Sequence, residues 1–384
     1  MLRNYTISSF FVLKGLTNWK KVCNFVAKRM RNMELKEIFG ARLKTARVIS
    51  GMSMDSLCEK MNDLVSKQTI SKYESGKMLP NSTNLIALAN ALGVKPDYLF
   101  RPFSVSLDKI EFRKKTKLGG KEEKSIKEKI RDRIERYIEI EDILGVGSDF
   151  KNPIKNNSVI APSDVYRIVE NVKGKWNLGQ DGIPYCIEML EEHCIKVIEV
   201  DAPDTFDGLS GFVGDYKPII VLNKNFPVER KRFTAMHELG HLVLKFDESL
   251  PQKDIERFCN IFANEMLISQ DVFKRVLGAS RHDISLNELR AIQSNFGISV
   301  EAQMFKARQL GVISESRYRY FCIAKNRKPT FKEQVEKSIY HEETSGRFSS
   351  LVYRALASGL ITYSKASELL DESINVVREQ LELV

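Results

Sequence analysis

Residues 233 to 244 read Phe-Thr-Ala-Met-His-Glu-Leu-Gly-His-Leu-Val-Leu. On a helix, His237 and His241 are four positions apart and share a face, so two imidazole nitrogens can converge on one divalent ion. Glu238 follows the first histidine directly and is placed to carry the proton of a water at that ion without ligating it. The pattern H-E-x-x-H on a helix is the pattern of zinc-assisted hydrolysis, with zinc (Zn2+) as the expected cofactor. The chain holds five histidines in all, so abundance does not explain the pair.

A catalytic zinc takes three protein ligands and leaves one position open. The third is expected on a following helix, and Pro251 can open one. Its body, Ile255 to Leu267, is apolar almost all round, the pattern of a buried helix. A carboxylate there is costly unless it is paired or bound to metal. Glu256 and Glu265 are the two candidates. Nine positions at about 100° each put them on opposite faces, and periodicity does not choose between them. Ahead of the histidine helix the pattern gives helices over Ser163 to Trp176 and Ile183 to His193. Short strands follow over Ile195 to Val200, Gly211 to Val213 and Pro218 to Leu222, forming a small mixed sheet. Ile219-Ile220-Val221-Leu222 is the clearest strand. Its place just before the metal helix suggests that it pairs with an extended substrate by β-augmentation.

A second set of chemistry-bearing residues lies near the start of the chain. Five short helices are expected between residues 33 and 103. Ile38, Leu43 and Ala46 face inward on the first, and Ser53 caps a second from Met54 to Met61. A third runs from Ser66 to Ser75 and ends at Gly76; a fourth stops at Gly93, and Pro96 opens a last short one. On the third, Ile70 and Tyr73 are spaced to face a core, which leaves Lys67, Gln68, Ser71 and Lys72 on the outer face. That is the arrangement of a recognition helix in the major groove of double-stranded DNA. Lysine suits guanine O6 and N7, glutamine suits adenine N6 and N7, so Lys67 and Gln68 are the expected base readers. Lys72, Lys77 and Asn81 are placed for phosphate.

At 384 residues the chain is long enough for two to three domains. Charged residues make up 29% and hydrophobic ones 43%, the balance of a globular protein. No apolar run is long enough to cross a membrane. The six cysteines contain no C-x-x-C pair, which argues against a disulfide framework or a cysteine zinc ribbon and for a reducing cytoplasm. Net charge is +10, but seven basic residues and no acidic one fall within residues 1–32, so the rest carries only +3. That basic extension is read as preceding the true start at Met33. The expected division is 1–32 extension, 33–103 DNA-binding domain, 104–160 charged helical linker, 161–313 metal-dependent domain and 314–384 helical C-terminal region. In the linker, Gly119-Gly120 is a joint, and Ile126, Ile130, Ile134, Tyr137 and Ile138 form a stripe on one helix ending near Leu144, which offers a homodimer contact. Leu286, Leu289, Ile292 and Phe296, followed by Gly297-Ile298-Ser299, read as a further helix-turn-helix packing unit with a scaffold role.

Ile70, Ser71, Glu74, Gly76 and Pro80 carry the pattern I-S-x-x-E-x-G-x-x-x-P, and residues 35 to 100 resemble the Xre, or Cro/cI-type, repressor family. Met54 stands where that family often has a phosphate-binding glutamine, and the turn Asn62 to Val65 is about two residues longer than usual. The block Phe-Thr-x-x-His-Glu-Leu-Gly-His, with a downstream Glu-x-x-x-Asn helix ending Met-Leu-Ile, makes residues 167 to 312 similar to the ImmA/IrrE family of metallopeptidases. The resemblance implies Glu256 as the third metal ligand and Asn260 as a group supporting a ligand from behind. It leaves Glu265 a structural or surface charge, and His193, His282 and His341 without a metal role. The fold class implied is mainly α with a small mixed sheet: an all-α five-helix DNA-binding domain, an α+β zincin-like metallopeptidase domain and a helical C-terminal region. The function implied is a DNA-binding transcriptional regulator whose peptidase domain cleaves a protein substrate, an Xre-type repressor or its own kind. The alternative is a non-enzymatic regulator or antitoxin whose peptidase-like domain senses a ligand or metal, or binds a partner.

Overall fold

In a computed structural model the protein is described over residues 34–103, 120–147, 150–155, 158–213 and 217–382. The basic extension, the first part of the charged linker and the Gly119 side of its joint lie outside the described residues. The chain divides into two compact units, the first ending at Glu135 and the second beginning at Arg136.

The first unit opens with α1 (Leu35–Ile49), α2 (Met54–Lys60), α3 (Lys67–Glu74), α4 (Ser82–Leu92) and a 3-10 turn (Pro96–Phe100). Ser53 caps α2 as expected, accepting from the Ser56 N–H; Ser66, expected as the first residue of α3, instead caps it by accepting from the Thr69 N–H, and Gly93 closes α4 in the left-handed conformation. Phe39, Leu43, Leu57, Ile70, Leu88 and Leu99 are fully buried in one core. A further helix, α5 (Gly120–Leu144), supplies its first part to this unit. Arg42 of α1, itself fully buried, donates from Nη2 to Glu135 Oε2 at 2.6 Å and from Nε to the Arg101 carbonyl at 2.7 Å. The unit thus runs past the expected boundary at 103. Ile126, Ile130 and Ile134 are buried within the chain. The dimer contact that their stripe suggested is therefore not available to a second copy through that face.

The second unit holds a three-stranded mixed sheet in the order β2–β4–β3: β2 (Lys196–Val200), β3 (Gly208–Val213) and β4 (Lys217–Asn223). β2 runs parallel to β4, with Val197 opposite Ile220, and β3 antiparallel, with Ser210 opposite Ile220. The sequence's clearest strand is accordingly the central one, hydrogen-bonded on both sides. It is no free edge for a substrate strand, which corrects that expectation; among the described residues β2 and β3 are the edges. A two-residue parallel pair, β1 (Ser158–Val159) with β5 (Lys245–Phe246), stands apart from this sheet.

Around the sheet pack α6 (Pro162–Lys175), α7 (Cys186–Glu192), α8 (Val228–Val243), α9 (Gln252–Leu267), α10 (Gln270–Leu277), α11 (Leu286–Phe296), α12 (Val300–Gln309), α13 (Glu315–Arg327) and α14 (Pro329–Glu336). Their buried residues form one core that includes Ile220, Leu239, Phe258, Phe262, Ile292 and Phe321. α9 differs from its reading as apolar all round. Phe258, Cys259, Phe262, Ala263 and Met266 are buried, but Lys253, Arg257 and Asn260 are exposed, so it is amphipathic. Beyond α14 an extended segment leads to α15 (Arg347–Ala357), α16 (Tyr363–Leu370) and α17 (Ile374–Glu382). These three close a small core with Tyr137 and Ile140 from the later part of α5. The extended segment is tied down by buried charge: Glu343 pairs with the fully buried Arg232 and accepts from the Ile187 N–H.

Candidate metal centre and nucleic-acid interface

α8 starts after Pro227, whose extended backbone suits the position before a helix, and its whole motif is buried. At Gly240, between the two histidines, α9 passes close: a Cβ there would lie 3.3 Å from Phe262 Cδ1 and 3.4 Å from Cys259 Cα. A larger residue would push α9 away from the histidines. With glycine, α9 brings Glu256 Oε2 to 3.3 Å from His237 Nε2 and 3.7 Å from His241 Nε2. Among the described residues these three form the one group with metal-ligand chemistry, their donor atoms lying within 4.8 Å of one another.

Four positions on one stripe of α9 (252, 256, 259 and 260) serve this centre. Asn260 Oδ1 lies 2.9 Å from His237 Nδ1. An amide oxygen only accepts, so Nδ1 donates this hydrogen bond and Nε2 is the ring atom that faces Glu256. Cys259 Sγ lies 3.4 Å from His241 Nδ1, the corresponding place on the second ring. Gln252 Nε2 donates to the other oxygen of Glu256, Oε1, at 2.6 Å. Two ring nitrogens and a carboxylate oxygen at these separations need a proton or a metal ion among them. The spacing also suits zinc: tetrahedral ligands at 2.0–2.1 Å stand about 3.4 Å from one another. Two imidazoles and a carboxylate therefore fit the ion that the sequence implied.

Glu238 is not one of this group. Its Oε2 accepts a hydrogen bond from Ser210 Oγ of β3 at 2.6 Å, with both residues buried. Glu265 lies at the other end of α9, where Lys306 Nζ reaches its Oε1 at 2.9 Å and its Oε2 accepts from the Gln270 N–H that begins α10. The remaining histidines lie elsewhere. His193 stacks on Trp176 at 4.1 Å, His341 Nε2 lies 3.0 Å from the Pro184 carbonyl, and His282 is exposed. Sequence reasoning passed over Ser210, Gln252 and Cys259. For the last two a signal existed, since positions i, i+4, i+7 and i+8 of α9 are all able to hydrogen-bond. A serine in a short strand carries no such signal.

In the first unit, α3 buries Ile70 and Tyr73 and exposes Lys67, Gln68, Ser71 and Lys72. Arg47 of α1 grips Glu74 with two hydrogen bonds, Nε to Oε1 at 2.6 Å and Nη2 to Oε2 at 2.8 Å, and so fixes the helix from behind. The turn before α3 holds two successive left-handed residues, Asn62 and Asp63, and Met54 packs against the core. Lys77 and Asn81 are exposed, and the Asn81 side-chain oxygen caps α4 by accepting from the Asn84 N–H at 2.8 Å. Lys67 is engaged as well: its Nζ lies 2.7 Å from Asp55 Oδ2 of α2.

Comparison with known proteins gives two family matches. A peptidase-family model described as the IrrE N-terminal-like domain matches residues 190–307, which contain the three-stranded sheet, α8 and α9. A helix-turn-helix model matches residues 43–99, which contain α2 and α3. A curated relative, the SPbeta prophage-derived uncharacterized HTH-type transcriptional regulator YonR of Bacillus subtilis (strain 168), is 34% identical over 71 residues. That alignment covers 18% of this chain and 64% of the relative, so the chain spans a little under two thirds of its length.

Proposed function

From a chain that carries both a helix-turn-helix DNA-binding domain and an IrrE N-terminal-like domain, we propose a cytoplasmic, sequence-specific transcriptional regulator with a zinc-dependent peptidase built in. Its substrate on this reading is a transcriptional repressor of Xre type or a second copy of itself. The observation that carries the reading is the convergence of His237, His241 and Glu256, with Glu238 beside them but held apart. Lys67 and Gln68 meet base edges, Ser71 lies beside them on the same outer face, and Lys72, Lys77 and Asn81 meet phosphate.

His237, His241 and Glu256 would hold a zinc ion, which when bound would supply Lewis acidity for peptide hydrolysis. Asn260 and Cys259 hold the two rings so that both Nε2 atoms face inward. Glu238 accepts the proton of the attacking water at its carboxylate and delivers it to the departing amine. The substrate backbone, which cannot add to the central β4, is assigned to the edge strand β3, the strand that also reaches Glu238 through Ser210.

The test is to incubate the zinc-loaded protein and its Glu238→Gln form with Xre-type repressors and with the protein itself, then map cuts by mass spectrometry. Wild type is expected to cut at a defined bond, and Glu238→Gln to keep its zinc and cut at least about a hundredfold more slowly. Equal cutting by both forms rules out Glu238 as the proton carrier. No cut by either, with any metal, favours the sensing regulator.

A further inference from the structure

We propose that Ser210 is the positioning residue that makes Glu238 a proton carrier and keeps it from becoming a fourth ligand. The inference rests on the peptidase reading and adds to it how two chemically equal carboxylates come to do different work. Glu256 reaches the two imidazoles and Glu238 follows His237 directly in the chain, and nothing in a carboxylate's charge or basicity assigns one to the ion and the other to the water. Their second contacts differ. Glu256 turns Oε2 toward both Nε2 atoms while its Oε1 takes Gln252. Glu238 is drawn toward the sheet, with Oε2 bonded to the Ser210 hydroxyl at 2.6 Å.

The register of β3 on α8 makes that bond a fixed feature. At Gly208 a Cβ would lie 2.7 Å from Thr234 Cγ2 and 2.6 Å from the Val221 carbonyl, so the strand lies against the helix where it has no side chain. Two residues along the strand advance about 6.6 Å, close to the 6 Å of four residues on a helix. Gly208 facing Thr234 therefore places Ser210 facing Glu238. Ser210 is 2% exposed. A hydroxyl so deeply buried is costly without an acceptor, and the carboxylate is that acceptor. Because β3 is also an edge of the sheet, the base and the proposed substrate strand take their positions from the same element.

The test uses the full-length zinc-loaded protein with acetohydroxamate, a probe that ligates zinc and donates a hydrogen bond to a neighbouring carboxylate. Zinc affinity is measured in parallel by competition with a chromogenic chelator. Losing one charge-assisted hydrogen bond is expected to weaken acetohydroxamate about tenfold in Ser210→Ala, with zinc affinity held or raised, since Glu238 is then free to ligate, and with recovery in Ser210→Thr. Unchanged acetohydroxamate binding in Ser210→Ala overturns the proposal. So does a parallel loss of zinc, which would make Ser210 a prop of the whole centre. Glu238→Gln separates the two levels. If it binds acetohydroxamate as wild type does, the peptidase reading falls; if it binds weakly while Ser210→Ala does not, only the assignment to Ser210 falls.

Discussion

Replacing Glu265 by glutamine tests whether the two carboxylates of α9 have different tasks. In the native structure Lys306 Nζ lies 2.9 Å from Glu265 Oε1 and 2.6 Å from the Ile268 carbonyl, with Lys306 only 4% exposed. Lys173 of α6 is equally buried and is attracted to the same carboxylate; burial lowers the pKa of both lysines. Glutamine keeps an acceptor for the Gln270 N–H but removes the negative charge from two buried amines. Breaking a buried pair from one side costs about 3–5 kcal/mol. The carbonyls left to Lys306 put the expected loss at the low end, about 3 kcal/mol. At roughly 2–4 °C per kcal/mol in a unit of this size, the melting transition should fall by about 6–12 °C. The defect should shrink toward pH 9, because the lysines it strands give up their protons more readily than exposed ones. Zinc affinity, measured by chelator competition, should stay within about twofold. Glu256→Gln should do the opposite, holding the melting temperature of the metal-free protein while weakening zinc by more than the roughly 10–100-fold cost of losing a supporting group. If Glu265→Gln loses zinc and Glu256→Gln keeps it, the ligand assignment is refuted.

Two further outcomes can be measured. Burial pushes Glu191 from its ordinary 4.5 up to about 7, despite bonds from Ser345 Oγ and the Arg347 N–H. Between those pH values the folded chain holds a proton that the unfolded chain has lost, so the second unit should lose about 3 kcal/mol of stability as pH rises from 4.5 through 7; denaturant titration should show Glu191→Gln flattening that slope. On the DNA face, Asp55→Asn releases Lys67 and removes a repelling charge. Anisotropy with a duplex of arbitrary sequence should show a gain of no more than about fivefold at low salt, shrinking as salt is raised.

Much of the centre was legible because its determinants are local. Two histidines four apart on a helix meet whatever surrounds them, and the caps at Ser53 and Gly93 depend on neighbours three or four residues away. Ile219-Ile220-Val221-Leu222 was legible and misassigned. A strand apolar at every position, without alternation, is buried on both faces and belongs inside a sheet; read that way, it could not have been the substrate edge. The linker stripe was found, but a periodic apolar face says only that it is covered, not by what. The extended segment after α14 was invisible for a different reason. Glu343, Arg232 and Glu191 read as surface charge in any hydropathy pattern, and only three-dimensional pairing lets them be buried.

The same reasoning explains why α9 was the hardest helix to read and the most informative once folded. Its inner face is held by Phe258, Phe262 and Met266 and its outer face by Lys253 and Arg257; Glu256 lies between them, half-buried, with Asn260 exposed beside it. A carboxylate at such a boundary avoids the full desolvation cost that burial would impose, yet stays reachable from solvent. Glu265, nine residues on, has rotated into the interior, where a carboxylate persists only by neutralising lysine. Periodicity placed the two on opposite faces. It could not say which face met the histidines, because that depends on where Gly240 lets the helices touch.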